Sequence, residues 1–376
     1  MDFDYSEPLR RFQREVRAFL TERAAPDVDE YDRKSVFPRH TFRELGEKGF
    51  LGVIVPRAYG GADLGATAYC LLSEELGRLS AGYHHNGIFQ AQHLLLRCGT
   101  EPQKVKFLPG LASGALHAAT AISEPGMGSS FARIQTFARR GDDGYVLNGI
   151  KSHINDAAEA DVMSLLAKTD HGLTMFLLER GAPGFHITRK LDPIGLRTSP
   201  IYEFELRDCP IPVENRLGAE GQGLDLFIHT FNFSRLGNAS VFLGMAKAAL
   251  EAAIAYASER DLGERRITDY QGIRWMIADL HTKLEAAELL RNRGAAEEER
   301  GGDCSKLSAM AKLYCGDVAV ETIAAAMRIT GSYGCYRDAP FERWLRDAKA
   351  EEVAGGPPEI MKNIIASQLL GKERKR

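Results

Sequence analysis

The chain reads as an α+β protein, mostly helical. An N-terminal helical domain (residues 1–117) precedes a middle antiparallel β domain (118–225) and a C-terminal four-helix bundle (226–376). Three observations predict this. Apolar residues recur at three- and four-residue spacing in both outer parts, short β-type runs between turn residues fill the middle, and Pro and paired Gly punctuate the chain. At 376 residues the chain is also too long for one small core, so two or three packed units are expected.

In the first part, Leu9, Phe12, Val16, Phe19 and Leu20 mark one buried helical face. The stretch from Val53 to Gly61 holds Pro56 and paired glycines and reads as a connection. Ala66 to Leu79 begins the next helix. In the middle part, Gly141 to Gly144 separates strand-like runs at Ile134–Arg139 and Tyr145–Ile150, the pattern of a β-hairpin. Val162–Ala167, Thr174–Leu178, Phe185–Thr188 and Tyr202–Leu206 are further short strands, which suggests a small antiparallel barrel or sandwich.

Beyond 226 the helical period returns in three stripes. Phe242 to Ala257 form one, Met276 to Leu290 a second, and Leu307 to Val318 a third. A fourth helix follows Pro357, with Ile360, Met361, Ile364, Ile365 and Leu369. Long amphipathic helices joined by short polar linkers such as Glu297–Asp303 argue for a bundle.

Composition narrows the function classes. The chain is 44% hydrophobic and 26% charged, with a net charge of -3, which gives no reason to expect nucleic-acid or membrane binding. Met1-Asp-Phe-Asp-Tyr is not a secretory signal, and no uncharged apolar run reaches the roughly 18 residues of a membrane span. The basic tail from Lys372 to Arg376 reads as a solvated terminus. Six cysteines without C-x-x-C pairing give no support for a metal site and suit reduced thiols in a cytoplasmic protein.

Ser123-Glu-Pro-Gly-Met-Gly-Ser-Ser130 follows a predicted strand. Its glycines allow close backbone approach to a ligand, and its hydroxyls and N–H groups can bond a planar heterocycle or phosphate. Alone, such a loop is usually a turn. Together with Leu147-Asn-Gly-Ile-Lys151, Glu74-Glu-Leu-Gly77, Pro56–Gly61, Ser258-Glu-Arg260 and Arg346-Asp-Ala-Lys349, it resembles the acyl-CoA dehydrogenase family along essentially the whole chain.

The resemblance implies FAD between the β domain and the bundle, reaching into a neighbouring subunit of a homodimer or homotetramer. It implies that Ile122 and Ser123 meet the pyrimidine side of the flavin, with Gly128 and Ser129 near flavin and acyl chain. Asn232 and Arg235 would lie near the CoA tail. Arg260, Arg328 and Gly331 would hold the FAD pyrophosphate and adenine of the partner. Read without the resemblance, Arg260 is a solvated helix charge.

Four departures stand out. His153 and Asn155 occupy the positions of the family's flavin-packing Trp and N5-bonding Thr or Ser; the Asn amide retains N–H donors. Asp261-Leu-Gly-Glu264 lacks the expected aromatic, and Ser130 replaces an Asp. The catalytic base is the fourth. Family members carry a carboxylate at one of two slots, and here these are Gly355 and Ser234. Glu351, Glu352, His84 and His85 are nearby substitutes, so the catalytic residue is unknown at this stage.

The leading reading is FAD-dependent α,β-dehydrogenation of an acyl thioester of CoA or acyl-carrier protein, with electron-transfer flavoprotein or oxygen as acceptor. A flavoenzyme doing monooxygenation or elimination on the same fold is the second. A catalytically silent subunit of a hetero-oligomer is the third.

Overall fold

A computed structural model describes residues 4–371. The basic tail Lys372–Arg376 and the first three residues lie outside the described residues. Six helices come first: α1 (Glu7–Arg23), α2 (Val28–Lys34), α3 (Arg39–Glu47), α4 (Gly65–Leu79), α5 (Gly87–Cys98) and α6 (Glu101–Ala112). The α1 stripe is buried at Phe12, Val16, Phe19 and Leu20, as its spacing requires. Thr100 and Gln103 start α6 with a reciprocal cap, satisfying two backbone N–H groups that a helix start leaves open.

The middle part forms one sheet from β1 (Ala118–Ala121), β2 (Phe137–Arg140), β3 (Gly144–Asn155), β4 (Val162–Thr169), β5 (Gly172–Glu179), β6 (Phe185–Leu191), β7 (Ile201–Pro212) and β8 (Arg216–Leu217). The order is β6-β7-β3-β2-β4-β5-β8, with β1 beside β4. The Gly141–Gly144 turn joins β2 and β3 as the expected hairpin, pairing Phe137 with Asn148 and Arg140 with Tyr145. The sheet is not wholly antiparallel. β1 runs parallel to β4, Ala118 opposite Val162, and β2 touches β4 in the same sense at Phe137 and Lys168. Parallel neighbours need a long crossover, and the 40 residues separating Ala121 from Val162 supply it.

The last part contains α7 (Gly223–Glu259), α8 (Gln271–Glu299), α9 (Ser305–Thr330), α10 (Phe341–Glu351) and α11 (Pro358–Leu369). The four long stripes become α7, α8, α9 and α11; α10 is an additional helix. By length and composition α7 could cross a membrane, but it is the central core helix, with 67% of its most apolar window buried. It packs on α4 at two glycines. A Cβ on Gly77 would lie 2.5 Å from the Val241 carbonyl oxygen, and one on Gly244 would lie 1.9 Å from that of Glu74. Two backbones therefore meet where side chains would hold them apart.

α10 locks three regions together. Asp347 is buried and accepts bonds from Ser80 Oγ (2.6 Å), Ala81 N–H (2.9 Å) and Leu196 N–H (2.7 Å). Arg346 grips Asp32 (2.7 Å) and the Ile194 carbonyl (3.0 Å). The Arg346-Asp-Ala-Lys349 segment thus joins the first helices, the β domain and the bundle.

Candidate active site

The Ser123–Ser130 loop is held from below by an ion pair between two sequence motifs. Glu124 accepts the N–H groups of Gln135 (2.6 Å) and Thr136 (3.1 Å) and the Lys151 ammonium (2.9 Å). Lys151, fully buried on β3, also donates to the carbonyls of Ile122 (3.0 Å) and Leu166 (2.7 Å). Burial lowers the Lys151 pKa to about 8, partly opposed by Glu124. Burial works to raise the Glu124 carboxyl, yet Lys151 and the N–H donors outweigh it and hold it below its ordinary range. Sequence reading missed this clamp, although its two residues sit in the Ser123–Ser130 and Leu147–Lys151 motifs that it singled out.

Above the clamp the surface is open. A Cβ on Gly128 would meet nothing within 4 Å, and Ser129, His153 and Asn155 are exposed. Ser123 is half-buried, and its carbonyl accepts the Ser152 N–H (3.0 Å), which seats β3 beside the loop. The β3–β7 register shifts between Lys151 and Ile154, and His153 takes φ +60°. This bulge re-aims His153 outward, and strain of this kind gathers at functional surfaces. The Asn155 amide donates to the Ser199 carbonyl (3.2 Å) and hydroxyl (3.1 Å). An unobstructed glycine face flanked by hydroxyl, amide and imidazole groups fits a planar heterocycle.

A second set of residues lies on α7 and the loop after α10. Arg235 is buried, donates through Nε to the Gly355 carbonyl (3.1 Å) and through Nη1 to Asn232 (2.7 Å), and covers the Phe231 ring at 5.0 Å. Ser234 Oγ meets Gln90 (3.1 Å). Both expected base slots therefore carry no carboxylate yet face polar groups. One turn further along α7, Asn238 donates to the buried Glu351 carboxylate and accepts from Asn86 (3.3 Å). A Cβ on Gly355 would lie 3.3 Å from both Asn238 Oδ1 and Lys312 Cε. Glu351 thus engages the same asparagine that borders the Gly355 slot.

Electrostatics separates the substitute bases. Burial pushes the Glu351 carboxyl up, and Lys312 draws it only part of the way back. Burial likewise pushes Lys312 down, while its ammonium donates to the carbonyls of Glu352 (3.1 Å) and Gly356 (2.9 Å). Glu352 instead meets Lys349 at 2.5 Å at the surface edge. His84 bonds Tyr69 (3.2 Å) and Ser73 (3.1 Å), and burial lowers its pKa to about 3, so it is neutral. His85 turns away to Asp156. Of the four, Glu351 is the buried acid with a raised pKa beside a usual base slot. Lys312 and Asn238 were missed, although each is a polar residue set into an apolar helical stripe.

Arg260 and Arg328 are exposed at one end of the bundle. Tyr256 of α7 stacks on Tyr333 at 4.8 Å and 2°, bringing the end of α7 against the turn that begins at Gly331 (φ +61°). The chain itself therefore gathers Arg260, Arg328 and Gly331 at one end.

An open face on the sheet and a buried acid on the bundle are the parts a redox site for a planar cofactor needs. Family models agree in three consecutive pieces. The acyl-CoA dehydrogenase N-terminal domain matches residues 6–115, the middle domain 119–209 and the C-terminal domain 221–370. An acyl-CoA dehydrogenase of Bacillus subtilis (strain 168) is 36% identical over 367 residues, covering 95% of this chain and 96% of its own. The butyryl-CoA dehydrogenase structure from Megasphaera elsdenii superposes with a TM-score of 0.96 at 33% identity, covering 98% of this chain and all of that one. The prolyl acyl carrier protein oxidase AnaB gives 0.90 at 29% identity, with 97% and 100% covered. The chain belongs to the acyl-CoA dehydrogenase family, a family of flavin oxidoreductases acting on CH–CH donors, and its cofactor is FAD.

Proposed function

We propose that the protein catalyses FAD-dependent α,β-dehydrogenation of an acyl thioester, with Glu351 as the base. The observation that carries this is the Glu351 carboxyl, buried with a raised pKa and bonded to Asn238 at the edge of the Gly355 slot. A base works best when its pKa lies near the working pH, and burial moves a carboxyl in that direction. FAD would be held by the Ile122–Ser123 backbone, Gly128, Ser129, His153 and Asn155, with Arg260, Arg328 and Gly331 serving the nucleotide end. Bound there, FAD supplies a two-electron acceptor for the β-hydride.

The chain's own residues do the rest. Glu351 takes the α-proton, so the thioester loses one proton and one hydride and gains a C=C bond. Asn238 orients the carboxylate, and the Lys312 charge favours its ionised form. Arg235 and Asn232 hold the loop that carries Gly355 and would guide the carrier arm. From Glu351 a polar chain runs through Asn238 and Asn86 to Tyr69, which favours a short, polar acyl group. The carrier is CoA or an acyl-carrier protein, and the electrons pass to an electron-transfer flavoprotein or oxygen. A cytoplasmic homodimer or homotetramer completes the reading.

The test is an anaerobic spectrum of the FAD-loaded protein titrated with short acyl-CoA and acyl-carrier-protein thioesters. Bleaching of the oxidised-flavin band is expected, and its loss in Glu351→Gln assigns the base. Bound flavin that no thioester reduces would overturn dehydrogenation in favour of monooxygenation or elimination. Failure to retain flavin would favour a silent subunit.

A further inference from the structure

Away from Glu351, three buried residues from distant parts of the chain converge. They are His85 after α4, His117 just before β1, and Asp156 just after β3. His85 Nδ1 lies 3.0 Å and His117 Nε2 3.1 Å from the same oxygen, Asp156 Oδ2. Their side chains are 2%, 1% and 3% exposed. The rings of Phe37 and Phe42 roof them, with Phe37 4.6 Å from His85 and 4.7 Å from His117 and Phe42 4.7 Å from His117.

Asp156 Oδ1, His85 Nε2 and His117 Nδ1 are buried and have no hydrogen-bond partner among the described residues. A buried polar atom without a partner is unfavourable, so three in one cluster point to a missing ion or water. His85 Nδ1 and His117 Nε2 converge on the single oxygen Asp156 Oδ2, so one cation at their meeting point would take all three atoms as ligands in place of the two hydrogen bonds that oxygen now shares. Two of the three residues also hold left-handed backbone, His85 at φ +40° and Asp156 at φ +58°. Such strain persists where something over-determines it.

From this geometry we infer that His85, His117 and Asp156 form a divalent-metal site, with zinc the best match. One ligand atom from each residue lies within 4.8 Å of the others. Zinc bonds to nitrogen and oxygen are roughly 2.0–2.2 Å, which sets tetrahedral edges near ~3.3 Å. The observed 3.0 and 3.1 Å edges need to open only slightly. Two imidazoles and a carboxylate are borderline ligands that suit zinc, and a water would take the fourth position. The ion would tie the turn after α4 and the start of β1 to the end of β3, directly behind Asn155. Its role is structural, and it does not depend on the dehydrogenase reading.

The test uses the FAD-loaded full chain, dialysed against zinc chloride and then freed of excess. Elemental analysis is expected to find one zinc per chain, and removal by chelator to lower the thermal midpoint, restored by zinc. His117→Gln and Asp156→Asn should each drop the content to near zero while flavin stays bound and far-UV dichroism is unchanged. Folded wild-type protein without a zinc equivalent overturns the site. So does one equivalent that persists in both variants, because the ion then sits elsewhere. Should either variant fail to fold, the wild-type zinc count and thermal response decide alone.

Discussion

Two buried acids lie close to α7, and the chain treats them in opposite ways. Glu74 of α4 is met by Lys247 (2.7 Å) and Arg291 (3.0 Å), and Lys247 is shared with Glu288 (2.5 Å). Arg291, itself buried, also donates to Ser240 (2.8 Å), the Tyr5 hydroxyl (3.0 Å) and Asn292 (2.7 Å). Burial tends to raise the Glu74 carboxyl, but the two cations overcome it and lower its pKa to about 2. Glu351 is equally buried, yet no cation pairs with it within 4 Å among the described residues, and its pKa moves up. A matched ion cluster fixes a charge for structure, whereas an acid faced by an amide and a more distant lysine keeps its proton exchangeable. Glu74 therefore belongs to the scaffold, whereas Glu351 has the properties of the proposed base.

That contrast breaks first at Glu351. Glu351→Gln should slow flavin reduction by about 10²–10⁴-fold in stopped-flow, with flavin content little changed. Equal turnover in the variant would return the base to Gly355's other neighbours. Glu74→Ala should do the reverse. It leaves Arg291 and Lys247 without their shared partner, costing about 3–5 kcal/mol in denaturant unfolding. Flavin reduction per folded chain should stay close to wild type.

Stability against pH sharpens the contrast further. Glu74 has a depressed folded pKa, so its contribution is full above its ordinary value of 4.5 and fades as pH falls toward about 2. Glu351 has a raised one, so its contribution is full below 4.5 and is lost as pH rises through the folded value. Compared with wild type, Glu74→Gln should close the gap in stability on acidification, and Glu351→Gln should gain on alkalinisation. Each slope should approach about 1.4 kcal/mol per pH unit within its window. The rate of flavin reduction should rise with pH through the Glu351 limb, and Glu351→Gln should lack that limb.

The smallest effect concerns the empty helical slot. Ser234 sits on α7 with its hydroxyl at Gln90, 3.1 Å away. Ser234→Glu in the Glu351→Gln background should restore roughly tenfold of the lost rate, equal to about 1.4 kcal/mol of barrier. Gly355→Glu should recover less, because its φ of +69° strains any residue with a Cβ. No recovery from Ser234→Glu would separate the two slots from the acid and weaken the assignment of Glu351.

Much of this was legible in the sequence. The α1 and α7–α9 stripes, the Gly141–Gly144 hairpin and the family motifs all depend on spacing along the chain, which local geometry converts directly into helix faces and turns. The glycine loop and the vacant base slots at Gly355 and Ser234 were visible for the same reason. Only the tertiary structure decided which of the substitute acids counts. Glu351 and Glu352 are adjacent and chemically identical, yet one is buried against Asn238 and the other reaches Lys349 at the surface edge. The rotation of α10 makes that choice, and α10 is set by Asp347 bonding to Ser80, Ala81 and Leu196, about 270 and 150 residues away. The same holds for His84 and His85, adjacent in sequence but sent to different clusters by a left-handed turn. Residue spacing determines faces within one element; burial, and with it pKa, depends on contacts between elements that no local pattern encodes.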